Sequence, residues 1–375
     1  MDKIQMVDLQ KQYLHIRKDI DAAIQEVIDQ SAFINGKAVK DFQEDLQNYL
    51  GVGHVIPCAN GTDALQIAMM ALGLKPGDEV IAPDFTFIAT VEVVGLLGLK
   101  LVVADVDPDT FNLSPEAVEA AITPRTKAIV PVHLFGQCAN MDELVAIADK
   151  HRITVIEDLA QANGAQYIFR NGEKRMAGTM GRVGCTSFFP SKNLGCFGDG
   201  GALMTNDDGL AATIRSIANH GMKVRYYHDT IGVNSRLDTI QAAVLKVKLR
   251  HLDAYNLARQ QAATFYDRAF TNHPNLLVPH RNPASTHIFH QYTLKIKDAD
   301  RNGLKEYLEK KGIPSMVYYP VPLHLQKAYE YLGYHEGDFP VTENLCKSVL
   351  SLPMHTELDQ AQLEFITGSV LEYFK

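Results

Sequence analysis

The chain's 375 residues make two ordinary domains, or one large domain with an appendage. With 46% hydrophobic and 21% charged residues it reads as a globular protein, and its net charge of −8 argues against nucleic acid as a main partner, which would ask for a basic excess. The most apolar stretch, 91–106, is interrupted by Glu92, Lys100 and Asp105, so no membrane span is expected, and the first residues show no apolar signal segment. The cysteines (Cys58, Cys138, Cys185, Cys196 and Cys346) are odd in number and form no CxxC pair, which points to a reducing cytoplasm.

Val39, Phe42, Leu46 and Leu50 recur at helical spacing, and Gly51 closes that helix. Short apolar runs then alternate with helical stretches. Strand 54–58 leads into Asn60-Gly61-Thr62-Asp63 and a helix, and strand 79–83 is followed by a helix over 90–98. Strand 100–107 follows, then a helix opened by Ser114 as N-cap and Pro115 at its first position. A buried strand over 127–136, a helix over 141–150 and a strand over 153–158 complete the series. This alternation, with continuous Val/Ile runs, predicts an α/β fold with a mostly parallel sheet covered on both faces. Beyond Gly201 one long helix is expected from about Asp238 past Arg259, because no Pro or Gly interrupts it. The Pro/Asn-rich segment 271–286 follows, and the rest reads as a small α+β domain. The expected division is a large domain over 1–250 and a small one over 251–375.

Ligands of an open parallel sheet sit beyond the carboxyl ends of its strands. The first strand delivers Asn60-Gly61-Thr62-Asp63 to a helix N-terminus, where free N–H groups can receive an anion. Strand 153–158 delivers Glu157 and Asp158, with Gln161 after them; a buried acid needs a cation or a donor. The segment 185–207 carries two aromatics and a proline before Lys192 and a glycine-rich loop after it, with Ser187 five residues upstream. Desolvation lowers a lysine's pKa and makes its amine nucleophilic. Each segment alone also fits a plainer role: a turn with Thr62 as N-cap, a capping Asp158, a solvent-facing lysine. Together they supply a phosphate cup, a carboxylate and an amine, the parts that a pyridoxal phosphate (PLP) site requires.

At these residues the chain resembles the DegT/DnrJ/EryC1/StrS family of PLP-dependent nucleotide-sugar aminotransferases, of the aspartate aminotransferase fold (fold type I). The resemblance runs through 33–46, 59–90, 131–144, 155–165, 186–207, 232–245, 318–326 and 349–355. It implies that Lys192 carries the cofactor aldehyde and moves the proton, that Asp158 pairs with the pyridine nitrogen and that Gln161 bonds the ring hydroxyl. It also implies that Phe87 stacks on the ring and that Gly61, Thr62 and Ser187 hold the phosphate. Asn234, in G-x-N-x-R, would reach the neighbouring subunit's cofactor, implying a homodimer with shared sites. Arg236, Tyr319 and His324 would contact the sugar nucleotide. Of the cations beside Tyr226 and Tyr227, Arg225 suits a diphosphate, whereas Lys223 and His228 suit a solvated loop. No metal is called for. Two positions depart from the family pattern: Leu159 stands where many members have a small residue, and Asn163 where His is frequent.

The pattern most resembles enzymes that aminate C3 of UDP-linked 2-acetamido-3-keto uronic acids with L-glutamate as donor, for cell-surface polysaccharide synthesis. The alternative substrate is a neutral dTDP- or UDP-linked 3- or 4-keto-deoxysugar. A dehydratase of the same family would carry His in place of Lys192. A non-enzymatic regulator would need a DNA-binding or membrane element, and a nicotinamide dehydrogenase would need G-x-G-x-x-G after its first strand.

Overall fold

The computed structural model describes residues 3–375. Two helices, α1 (Leu9–Gln30) and α2 (Lys37–Leu50), precede the sheet. Gly51 ends α2 in the left-handed conformation, φ 65°, as its position in the sequence predicts. Then follow β1 (His54–Cys58), α3 (Gly61–Ala71), β2 (Glu79–Pro83), α4 (Ala89–Leu96), β3 (Lys100–Ala104), α5 (Pro115–Ala121), β4 (Thr126–Ile129), α6 (Met141–His151) and β5 (Thr154–Asp158). The hairpin β6 (Gln166–Ile168) and β7 (Lys174–Met176) leads to β8 (Val183–Ser187), β9 (Gly201–Thr205) and α7 (Asp208–Ala218). A second hairpin, β10 (Met222–Val224) and β11 (Tyr227–His228), precedes α8 (Thr239–Leu249) and α9 (Leu252–Phe270). The chain ends with β12 (Leu276–Leu277), β13 (Tyr292–Ile296), α10 (Arg301–Lys310), α11 (Pro340–Ser348), β14 (Val349–Leu352) and α12 (Gln360–Tyr373).

The main sheet has the strand order β1-β9-β8-β5-β4-β2-β3. Pairings β8/β5, β5/β4, β4/β2 and β2/β3 are parallel. Strand β9 is antiparallel to both β8 and β1. Two reversals restore direction, so β1 ends on the same edge as β8, β5, β4 and β2. That shared carboxyl edge collects the segments carrying chemistry. Apolar side chains cover one face from α2, α6 and α8 (Phe42, Leu46, Leu144, Leu245) and the other from α3, α4 and α7 (Leu65, Val91, Ile214). A separate core joins α9, α10, α12, β13 and β14 around Tyr266, Phe270, Leu294, Leu308 and Ile366.

Two expected elements are shorter than their sequences suggest. The strand expected over 127–136 is regular only to Ile129; at Pro131, which has no N–H to donate, it narrows to one bridge of Val132 with Asp158, in which Pro131 O accepts from Asp158 N and His133 N donates to Asp158 O, both at 2.9 Å. The long helix breaks at Arg250–His251, where His251 N turns back to Lys248 O at 2.9 Å. The break lets Leu249 and Leu252 bury in one core, and tertiary packing overrides a sequence with no local breaker. We propose this turn as the domain boundary, with one amendment: Ile4 packs into the second core, so the segment at Ile4 belongs with the smaller domain.

A buried carboxylate secures the end of β5. Glu157 is 0% exposed and accepts from Gly178 N (2.8 Å), Met180 N (2.6 Å), Gly181 N (2.5 Å) and His133 Nε2 (2.9 Å). His133 Nδ1 accepts from Ala139 N, so the proton sits on Nε2 and points at the acid. Glu157 thus has the donors a buried charge demands, and they hold Asp158 in place beside it. Glu157→Gln turns an amide donor toward backbone donors. It should cost about 3 kcal/mol, read as a lower urea midpoint; an unchanged midpoint would show the carboxylate to be dispensable.

Candidate active site

A cavity of about 400 Å³ opens at the carboxyl edge, lined by residues of α3, the β2–α4 turn, the end of β5, the β8–β9 loop and the segments at 290 and 318. The β1–α3 turn supplies its cup. The N-cap of α3 is Asn60, not Thr62: its Oδ1 accepts from Asp63 N at 2.7 Å. The N–H groups of Gly61 and Thr62 have no acceptor among the described residues, and they face the cavity with the helix's positive end behind them. Gly61 is the one residue type that fits here, because a Cβ would lie 2.7 Å from the Cβ of Ser187. That close approach joins cup and β8 into one concave surface.

Asp158 is 5% exposed at the end of β5 and accepts from Thr90 Oγ1 at 2.8 Å and from Ala160 N at 3.1 Å. Gln161 turns its Oε1 to Phe135 N (2.7 Å), which leaves its Nε2 to donate to Tyr319 Oη (3.1 Å). Burial raises the Tyr319 hydroxyl above the ordinary tyrosine value and keeps it neutral. Phe87 lines the mouth of the cavity with its ring tilted on that of Tyr319, centroids 6.5 Å apart.

Lys192 stands in the loop between β8 and β9. Phe188 N bonds Gly200 O (2.7 Å), Cys196 N bonds Phe188 O (2.8 Å) and Lys192 N bonds Phe189 O (2.8 Å), so the loop is closed on itself. The Lys192 amine makes no hydrogen bond or ion pair among the described residues, although its side chain lines the cavity. Burial lowers its pKa from 10.5 to about 8, against the opposing pull of Asp158. A solvated lysine in a turn would not be shifted in this way.

Gly61, Thr62, Phe87, Asp158, Gln161, Ser187, Lys192 and Tyr319 therefore meet around one cavity. His324 does not: it is buried, with Nδ1 2.6 Å from Asp84 Oδ2 and its backbone N donating to Asp84 Oδ1 at 2.8 Å. Its ring pins the 323–325 turn to the end of β2, and it is not among the residues lining this chain's cavity. Arg225, Asn234 and Arg236 also lie outside this chain's cavity. Arg225 is exposed beside the β10–β11 hairpin, its guanidinium 5.0 Å from the centre of the Tyr226 ring, and Asn234 is exposed where it bridges Asn219. Thr90, His290 and Gln291 border the site without having been singled out, since no motif spacing ties them to Lys192. Leu159 packs where a Cβ on Gly178 would lie 2.7 Å from its Cδ2, so its bulk is matched by a glycine. Among the described residues, no group of three or more His, Cys, Asp or Glu is arranged to hold a metal ion, and no helix is long and apolar enough to cross a membrane.

The sequence profile of the DegT/DnrJ/EryC1/StrS aminotransferase family matches residues 14–371. The chain belongs to this family. Its members are PLP-dependent, and the protein is an aminotransferase. It is 46% identical over 367 residues to the UDP-2-acetamido-2-deoxy-3-oxo-D-glucuronate aminotransferase of Pseudomonas aeruginosa, covering 98% of this chain and 99% of that one. It is 44% identical over 360 residues to the UDP-N-acetyl-3-dehydro-alpha-D-glucosamine 3-aminotransferase of Acidithiobacillus ferrooxidans (96% and 95% covered). A Geobacillus stearothermophilus protein named as a pleiotropic regulatory protein is 46% identical over 374 residues, with 99% of each chain covered. Among solved structures, an aminotransferase of the family from Brucella abortus superposes with a TM-score of 0.93 at 44% identity, covering 99% of each chain.

The state of Lys192 is open to direct measurement. An amine reacts with acylating reagents only when deprotonated, so a lowered pKa brings reactivity to lower pH. Competitive labelling of the cofactor-free chain should give Lys192 a midpoint near 8, while Lys37, whose pKa is raised by its bond to Asp41, stays above the ordinary lysine value. A Lys192 midpoint near 10.5 would show the amine to be solvated.

Proposed function

We propose that the protein aminates C3 of a UDP-linked 2-acetamido-3-keto uronic acid with L-glutamate as donor, through PLP held by Lys192, Asp158 and the α3 cup. The observation that carries the cofactor site is the unpartnered Lys192 amine in one cavity with a buried carboxylate and two free backbone donors. The residues fit the group. Gly61 and Thr62 N–H, with the Ser187 hydroxyl, offer donors to a phosphate. Asp158, oriented by Thr90, presents a carboxylate to a protonated ring nitrogen, and Gln161 and Phe87 border the ring's edge and face. When bound, PLP supplies the electron sink for the bond broken at the donor's α-carbon.

The protein's own part is to hold and move protons. With a pKa near 8, Lys192 exists in both forms around neutrality, so its amine can take a proton from one carbon and return it to another. Asp158 keeps its charge close to the ring nitrogen and so preserves the sink. The cavity's apolar wall, with Val132, Phe135 and Leu65, limits water at the reacting carbons. The name of the Geobacillus relative suits a regulator. The assembled amine, carboxylate and cup favour catalysis.

The homodimer with shared sites is our reading of residues that lie outside this cavity. Asn234 and Arg225 are exposed, and they stand beside the exposed apolar residues Val224, Tyr226, Tyr227 and Ile231. We assign Asn234 to the partner's phosphate and Arg225 and Arg236 to the sugar diphosphate. Lys192→Ala and Asn234→Ala dimers should each lose most turnover. Mixed and reassociated chains should then recover about a quarter of the sites, the share expected when one hybrid site regains both groups. No recovery on mixing would place Asn234 in its own chain's site.

The substrate reading rests on the names of the two sugar-nucleotide relatives, one of which acts on a uronate and the other on a glucosamine. A carboxylate held by an arginine forms a charge-assisted bond of roughly 1.5–3 kcal/mol. The uronate should therefore exceed its neutral 6-hydroxy analogue in kcat/KM by about ten- to a hundredfold. Equal or better turnover of the neutral sugar would move the assignment to the glucosamine-type substrate and leave the aminotransferase intact.

A further inference from the structure

His290 sits on the cavity wall immediately before β13 and is 5% exposed. Its backbone is fixed: N donates to Phe135 O at 2.8 Å, and the Arg259 guanidinium donates to its carbonyl at 3.3 Å. Its ring is fixed by a relay of amides whose orientation is set from the far end. Asn256 Nδ2 donates to the backbone carbonyl of Asn163 (3.1 Å), which leaves Asn256 Oδ1 to accept from Asn193 Nδ2 (2.7 Å). The same Asn193 Nδ2 reaches the carbonyl of Ile288 (3.3 Å). Asn193 must then turn its Oδ1 to His290 Nδ1, 3.2 Å away. A carbonyl oxygen can only accept, so Nδ1 carries the proton, and a neutral ring leaves its Nε2 lone pair bare. Nε2 has no partner among the described residues.

The ring is neutral for physical reasons. It is buried, and the positive charges facing it, Lys192 from the β8–β9 loop and Arg259 from α9, push its pKa well below 6.5. The residue nearest in sequence to the relay's last amide is Lys192, whose amine likewise lacks a partner. Two unpaired nitrogens thus border one cavity, one a donor and the other an acceptor, and Asn193 ties their segments together.

We infer that His290 is a positioning residue for Lys192: when the flexible lysine side chain turns toward this wall of the cavity, the Nε2 lone pair receives an N–H of its amine, and the Asn163–Asn256–Asn193 relay holds the imidazole in the tautomer that can do so. No bond is made or broken; a proton is shared between amine and lone pair while Lys192 is free between its turns of proton transfer. This rests on Lys192 as the amine of the proposed mechanism, but its readouts are independent of turnover. An acceptor stabilises the ammonium form, so losing it makes Lys192 give up its proton more readily.

The test uses the full chain, both without cofactor and loaded with pyridoxamine phosphate. Nitrogen-15 spectra of labelled histidine, assigned by difference from His290→Gln, should show His290 as the neutral Nδ1–H tautomer at pH 7.5, the opposite of the form that free histidine prefers. In His290→Leu, competitive labelling should move the Lys192 midpoint down by about one pH unit. His290→Gln, which keeps an acceptor oxygen, should restore most of that shift. A purely packing role would lower the thermal midpoint of His290→Leu without moving Lys192. An Nε2–H tautomer or an imidazolium at pH 7.5 in the wild-type chain would overturn the assignment, and so would an unmoved Lys192 midpoint in a folded His290→Leu. The wild-type spectrum decides the tautomer even if the leucine variant does not fold.

Discussion

The site depends on an amine kept in low dielectric without a partner. An unpaired buried cation is costly, and the chain contains the cost by letting the amine shed its proton near neutrality. Several features of the surrounding architecture serve that state. The β8–β9 loop closes on itself through backbone bonds, which fixes the backbone that carries Lys192. Asp158 stands near enough to oppose the downward shift but makes no ion pair that would fix the amine as a cation. Glu157, one residue earlier, has its charge fully absorbed by three backbone donors and His133. Two neighbouring acids at one strand end thus have opposite tasks: one secures the backbone and the other faces the cavity.

Sheet topology does the assembling. Strand β9 lies between β1 and β8 and is antiparallel to both, so β1, the first strand of the sheet, ends on the same edge as β8, one of the last. Thr62 of the cup and Asp158 are 96 residues apart in sequence and Asp158 and Lys192 are 34 apart, and they meet because every strand that delivers one ends on the same edge. Gly61 shows how tight that meeting is: the helix and the strand end touch where any larger residue would wedge them apart.

Those parts were legible because each lies in a short segment with its own local signal. Gly61 and Thr62 open a helix, Asp158 ends an apolar run, Lys192 sits between aromatics and glycines. What was hidden depends on contacts between distant segments. His290 meets Lys192 through Asn193 and Asn256, a relation with no period or spacing. Thr90 looks like an ordinary helix residue until Asp158 is placed opposite it. His324 shows the reverse: it belongs to a segment whose Tyr319 lines the cavity while its own ring turns to Asp84, and nothing in YYPVPLH tells which side chain turns inward. The break at Arg250–His251 is equally silent, since no glycine or proline marks it. Arg225, Asn234 and Arg236 lie outside this chain's cavity, and the proposed shared site would need the neighbouring subunit to bring them in.

The contact between His324 and Asp84 has a mechanical side. Asp84 precedes Thr86 by two residues and Phe87 by three, and Tyr319 precedes His324 by five, so both segments of the cavity wall are riveted at one buried point. The two segments come from opposite ends of the chain, one from the sheet and the other from the connection into α11. They therefore move as one panel. Parting Tyr319 from Phe87 would have to bend around that buried contact, whereas the glycine-rich loop that brings Asp199 to the same cavity is not tied to it.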